Sequence, residues 1–144
     1  MATKLTANFT LEELCASSTA RLKGIKNVPN KQEIACLRVL AENVLQPLRE
    51  HFYEPVKIGS GYRCEALNKA VGGVANSQHT KGQAADLCID GDKTKGKKWF
   101  DYIRYNLDFD QLIWEHNAKG SYWVHVSCKE HGNRHSVIDN LLKK

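Results

Sequence analysis

His79 and Asp86 flank the stretch Thr80-Lys81-Gly82-Gln83-Ala84-Ala85, after which the chain runs straight into Leu87, Cys88 and Ile89. A short apolar run bounded by a glycine turn reads as a buried strand. Gly82 can take the left-handed conformation that a tight reversal needs, and Ala84 is too small to obstruct what approaches the strand. His79 can therefore fold back beside Asp86. That is a metal-site layout, and it demands a third ligand, so the fold must bring another segment to this one.

The best supplier is Tyr122-Trp123-Val124-His125-Val126-Ser127, a β-branched and aromatic run whose period of two puts Trp123, His125 and Ser127 on one face. Two imidazoles and one carboxylate, with a fourth position left to water, are the coordination expected of catalytic zinc rather than of a closed structural site. Residues 109–114 read as a strand leading to Glu115, and the loop 116–121 turns the chain back. The two strands then form an antiparallel pair that places Glu115 near His125, where it is the candidate proton carrier. Upstream, Val56-Lys57-Ile58 alternates as a short strand and delivers Gly59-Ser60-Gly61-Tyr62-Arg63. The glycines let Arg63 lie close to a ligand, so Arg63 is the candidate for binding a substrate oxygen, and Ser77 is a nearby hydrogen-bond donor.

The remaining elements read as support. Thr10-x-x-Glu13 is a capping box and predicts a helix over 11–17, followed by a connector over 21–30. Asn30 can cap a long helix over 31–51, with Ile34, Leu37, Ala41, Val44, Leu45, Leu48 and Phe52 as its buried stripe and a kink near Gln46 imposed by Pro47. Further helices are expected over 65–71, ending at Gly72-Gly73, and over 95–106.

Two patterns imitate other chemistry. Gly91-x-x-x-x-Gly96-Lys97 resembles a phosphate-binding loop, but Lys98 stands where a Ser or Thr must hold magnesium. His125, Cys128, His131 and His135 offer four ligands, yet strand alternation before Cys128 points neighbours to opposite faces and the spacing fits no common finger. His131 and His135 read as surface or tail residues.

At 144 residues the chain forms one domain over 1–144, with a hydrophobic core of its own. Residues 1–8 hold no apolar signal core, and no stretch is long enough to span a bilayer, which predicts synthesis in the cytoplasm without an export signal. Five cysteines without a CxxC pair are expected as reduced thiols. The net charge of +5 suits anionic polymers and equally a lysine-rich surface. No recognition motif accompanies it, so nucleic acid is not an expected partner.

Ser77-x-His79-x-x-Gly82-x-Ala84-x-Asp86 followed by Trp123-Val124-His125-Val126-Ser127 resembles the M15 peptidases, the zinc D-Ala-D-Ala carboxypeptidases and L-alanyl-D-glutamate endopeptidases. Ser60-Gly61-Tyr62-Arg63-Cys64, Leu67-Asn68-Lys69-Ala70-Val71-Gly72-Gly73 and Phe9-Thr10-Leu11-Glu12-Glu13-Leu14 resemble a compact branch that includes phage and prophage wall-degrading enzymes, and the likeness spans 9–135. It implies a small α+β domain in which an antiparallel sheet carries a Zn2+ site on His79, Asp86 and His125, flanked by helices. It also implies hydrolysis of peptidoglycan stem peptides by a monomer that reaches the wall after release, as in phage lysis. Several branches place their glutamate three residues before the last histidine, where this chain has Tyr122. The related Hedgehog signalling domains place one at the end of the preceding strand, matching Glu115. Trp123 stands where some relatives have a further histidine, and His116 is its possible substitute. A non-catalytic zinc-containing binding module of the same fold is the alternative.

Overall fold

The computed structural model describes residues 3–139. Helix α1 (Leu11–Cys15) begins at the expected capping box, in which the Glu13 N–H donates to Thr10 Oγ1 and the Thr10 N–H to Glu13 Oε1. It ends two residues early because Ser17 starts a new helix: its Oγ accepts from the Ala20 N–H, opening α2 (Ser18–Lys23). The first part of the expected connector is therefore helical. Asn30 caps α3 (Lys31–Leu40) through a second reciprocal box with Glu33.

Pro47 acts on the next turns in a way its sequence position only half reveals. It has no N–H to offer the carbonyl of Asn43, and the ladder slips by one residue. The Gln46 N–H reaches back to the Ala41 carbonyl, so Ala41–Leu45 is π-helical, and α4 (Gln46–Phe52) continues beyond it. The expected stripe survives the slip: Leu37, Ala41, Val44, Leu45 and Leu48 are fully buried, and Ile34 and Phe52 pack partly buried against them.

A five-stranded sheet receives this helical layer. It comprises β1 (Lys57–Ser60), β2 (Ala84–Cys88), β3 (Gln111–His116), β4 (Tyr122–Ser127) and β5 (Ser136–Asp139), in the order β1-β2-β4-β3-β5. The first four pair antiparallel, as expected, while β5 runs parallel to β3 and was not foreseen. The fold is α+β, with a mostly antiparallel sheet. Strand β2 starts at Ala84 rather than at the apolar run, so Asp86 lies inside the ladder. Strand β3 likewise extends to His116 and includes Glu115.

Alternation divides the sheet by chemistry. Ala85, Leu87, Leu112, Trp114, Val124 and Val126 face the core with Trp99, Phe100 and Ile103 of α6 (Lys93–Asn106), which Asp92 caps two residues before its expected start. Gly96 explains the apparent phosphate loop. It sits inside α6, where a Cβ would lie 2.4 Å from Trp114 Cη2 and 2.9 Å from Ile89 Cδ1. That glycine lets helix and sheet approach. A short helix α5 (Glu65–Ala70) ends at Gly72. Among the described residues no helix is long and apolar enough to cross a membrane.

Candidate metal centre

The opposite sheet face carries the polar residues. Asp86 and His125 are direct cross-strand partners on β2 and β4, and Ile113 of β3 completes their row. Cross-strand partners share a face, so His125 Nδ1 meets Asp86 Oδ1 at 2.9 Å. His79 arrives from outside the sheet on the single 3₁₀ turn Gln78–Lys81, closed by Gly82 at φ +75°. Ser77 Oγ caps that turn by accepting from the His79 N–H at 3.2 Å. Glycine is required at Gly82 twice over, because an added Cβ would also stand 2.5 Å from the Glu33 carbonyl oxygen.

Hydrogen bonding sets the His79 tautomer. Its Nδ1 lies 2.7 Å from the Gly61 carbonyl oxygen, which can only accept, so Nδ1 carries the proton. The Nε2 edge is then turned toward Asp86 Oδ1, 3.4 Å away. The three ligand atoms of His79, Asp86 and His125 lie within 4.8 Å of one another. Tetrahedral ligands at about 2.0–2.1 Å from zinc stand roughly 3.3 Å apart, so both contacts to Asp86 are near the required spacing. Burial pushes the Asp86 carboxyl upward, but hydrogen bonds from His125 and His79 outweigh it and hold Asp86 well below the usual carboxylate range. The donor set fits a zinc ion.

A cavity of about 580 Å³ opens over the three ligands, lined also by Arg63, Ser77, Ile113, Glu115 and Trp123. The Arg63 N–H donates to the His79 carbonyl at 3.1 Å, which ties the arginine to the metal turn. Its Nε is buried and has no hydrogen-bond partner among the described residues. Burial draws the guanidinium below its ordinary pKa, and the neighbouring Asp86 charge works against that. Glu115 pairs with Trp123 one step along the ladder from the His125 row, and its carboxylate has no hydrogen bond or ion pair among the described residues. The expected proximity of Glu115 to the ligands is thus met by a shared cavity wall.

Other candidates separate from the site. His116 alternates away from Glu115, pairs with Tyr122 and meets its ring at 5.6 Å, so it does not line the cavity. Cys128 is buried, His131 is exposed and His135 pairs with Asp108. They do not converge with His125. Sequence reasoning missed Asp110, Gln78 and Arg134, which form a charged network at the cavity's edge. The one hint was an aspartate placed immediately before an apolar alternating strand.

A cluster of two imidazoles and one carboxylate on an open sheet face, with an unengaged carboxylate and an arginine on the same wall, has the parts of a hydrolytic metal centre. The chain belongs to the Peptidase M15 family, whose model matches residues 7–127. It is therefore a member of a family of peptidases that are generally zinc-dependent. The match stops short of His135, leaving β5 beyond it. Comparison with curated proteins returns no match.

Proposed function

We propose that the protein is a zinc metallopeptidase that cleaves the stem peptides of bacterial peptidoglycan, with the ion held by His79 Nε2, Asp86 Oδ1 and His125 Nδ1. The observation that carries this is one carboxylate oxygen facing two imidazole nitrogens inside a cavity that Glu115 and Arg63 also line. Bound there, zinc supplies Lewis-acid polarisation of the scissile carbonyl and acidifies the attacking water.

The chain's own residues do the rest. The Glu115 carboxylate, free of any ion pair among the described residues, takes a proton from the attacking water and returns it to the departing amine. Arg63, on the cavity wall, supplies guanidinium N–H donors to the negative charge that develops on the carbonyl oxygen. Ser77 has its oxygen occupied by the His79 N–H, so its hydroxyl proton remains for the substrate. The motif likeness to wall-lysing enzymes favours endopeptidase over terminal D,D-carboxypeptidase cleavage. It also favours a monomer that reaches the wall when another protein opens the membrane.

The test is metal analysis together with mass spectrometry of digested muropeptides. About one zinc per chain is expected, lost in a His79→Ala, His125→Ala double variant. Glu115→Gln should keep the zinc while turnover falls on the order of a hundredfold. Unchanged zinc in the double variant refutes the ligand set, and near-normal turnover in Glu115→Gln removes Glu115 as proton carrier. A zinc-loaded wild type that releases nothing leaves only a non-catalytic binding module.

A further inference from the structure

The stretch beyond β4 adds a charged clasp to the cavity. Asp110, just ahead of β3, is a fully buried carboxylate. Arg134 grips it in fork geometry, Nη2 to Oδ2 at 2.8 Å and Nε to Oδ1 at 3.1 Å, and the Arg134 N–H also donates to Oδ1. Gln78 Nε2 donates to Oδ2 at 3.0 Å, and Lys129 Nζ lies 3.4 Å from Oδ1. Gln78 adjoins His79, so the clasp is anchored to the metal turn itself.

Charge counting shows what is left over. Asp110 contributes one negative charge against one positive charge each from Arg134 and Lys129, so the cluster keeps one positive charge. Arg134 is also asymmetric: its side chain is 57% exposed, against 1% for Asp110. One edge of the guanidinium is spent on Asp110, whereas Nη1 has no hydrogen-bond partner among the described residues. Arg134 lines the same cavity as Arg63, Asp86 and Glu115.

Position along β3 gives this second cation its place. Gln111, Ile113 and Glu115 line the cavity in succession, and Ile113 marks the His125 row. Glu115 lies one two-residue step to one side, about 7 Å along the strand. Gln111 and the Asp110–Arg134 clasp lie on the other. We propose that Arg134 is a specificity-determining residue that binds a free carboxylate of the substrate, on the side of the metal row away from Glu115 and removed from the scissile bond. The inference rests on the peptidase reading above. A guanidinium already pinned along one edge is pre-organised, so it offers its other N–H groups to a planar carboxylate at little further entropic cost.

The experiment compares a stem peptide with its counterpart amidated at the carboxylate remote from the cleaved bond. Binding to the zinc-loaded Glu115→Gln protein is measured by calorimetry, and turnover with Glu115 intact. The free acid should bind about tenfold more tightly or better, and Arg134→Gln should abolish that preference. Because Arg134→Gln strips a buried carboxylate of its main partner, Arg134→Lys serves as the folded control: it keeps an ion pair with Asp110 but lacks the second edge, so the preference should again shrink. Equal binding of acid and amide with Arg134 present, or an undiminished preference in both variants, overturns the subsite. If the intact protein hydrolyses both peptides equally well and binds them equally, the peptidase reading stands and the subsite falls. If it hydrolyses neither but keeps an Arg134-dependent preference, the reading falls and the subsite stands.

Discussion

Gly61→Ala tests whether the metal turn is held by the packing of α1 against the segment after β1. Gly61 is not in the left-handed region, so alanine faces no backbone penalty there, and by restricting the unfolded chain it would contribute about 0.5–1 kcal/mol of stability. Space decides against it. The new Cβ would stand 2.2 Å from the Leu14 carbonyl oxygen and 3.0 Å from its carbon, both backbone atoms of a buried residue. Helix α1 and the segment after β1 must part by about 1 Å to restore ordinary contact. That overpacking costs about 1–3 kcal/mol, and the Tyr62 N–H bond to the same oxygen, 2.7 Å long, weakens by up to about 1 kcal/mol. A net loss of about 2 kcal/mol is expected. The same movement carries away the Gly61 carbonyl that accepts from His79 Nδ1, and loss of such outer support commonly weakens metal binding about tenfold to a hundredfold. Thermal unfolding and zinc competition with a chelator measure the two effects separately. Gly59→Ala, whose Cβ would meet nothing closer than 3.5 Å, is the control. A Gly61→Ala protein with wild-type zinc affinity would refute the link from α1 to His79, even if its melting point falls.

Two further outcomes follow from the core and the clasp. Gly96→Ala should lower stability by about 1–2 kcal/mol in thermal or urea unfolding, because the contact with buried Trp114 outweighs the roughly 1 kcal/mol that alanine gains in a helix; a stabilised variant would show that Trp114 repacks freely. Asp110 is held well below the usual carboxylate range first by its Arg134 hydrogen bonds, against a smaller upward push from burial. Its contribution is therefore complete above the ordinary value of about 3.9 and is lost as pH falls through the lowered one. Asp110→Asn should cost about 3 kcal/mol at neutral pH, and the gap from wild type should narrow below about pH 4; a gap independent of pH would show that Asp110 is not ionised in the fold.

The parts of this protein that could be read from its sequence are those specified locally. His79, Gly82 and Asp86 lie within one turn and one strand, and the alternation around His125 fixes its face whatever strand lies beside it. Glu115 was legible through the antiparallel pairing of its strand with that of His125, whereas His116, read as a substitute, alternates to the other face and leaves the cavity. Thr10 and Asn30 announced their helices through side-chain caps. Where a signal was shared between two structures, reading was incomplete: Pro47 foretold a disturbance, but the π-helical answer depends on Gln46 reaching Ala41 while the buried stripe stays in place. Gly96 was opaque because its reason is Trp114, eighteen residues away across the helix–sheet interface. Strand β5 offers only Val137 and Ile138 as apolar residues, too few to register as a strand, and its parallel pairing with β3 is decided by tertiary contact. Arg134 and Asp110 stayed hidden for the same reason, since their encounter depends on that pairing.

The distribution of strand lengths has a consequence for handling the protein. Strands β3 and β4, six residues each, lie inside the sheet, and both edges are made of four-residue strands. Short rims give a neighbouring molecule little ladder to extend. A fragment trimmed at residue 127, the end of the family match, would lack β5 and bare the whole length of β3, turning a protected interior strand into a template for intermolecular pairing. Strand β5 thus acts as a border for the sheet, and its removal should appear as self-association before any loss of the metal ligands.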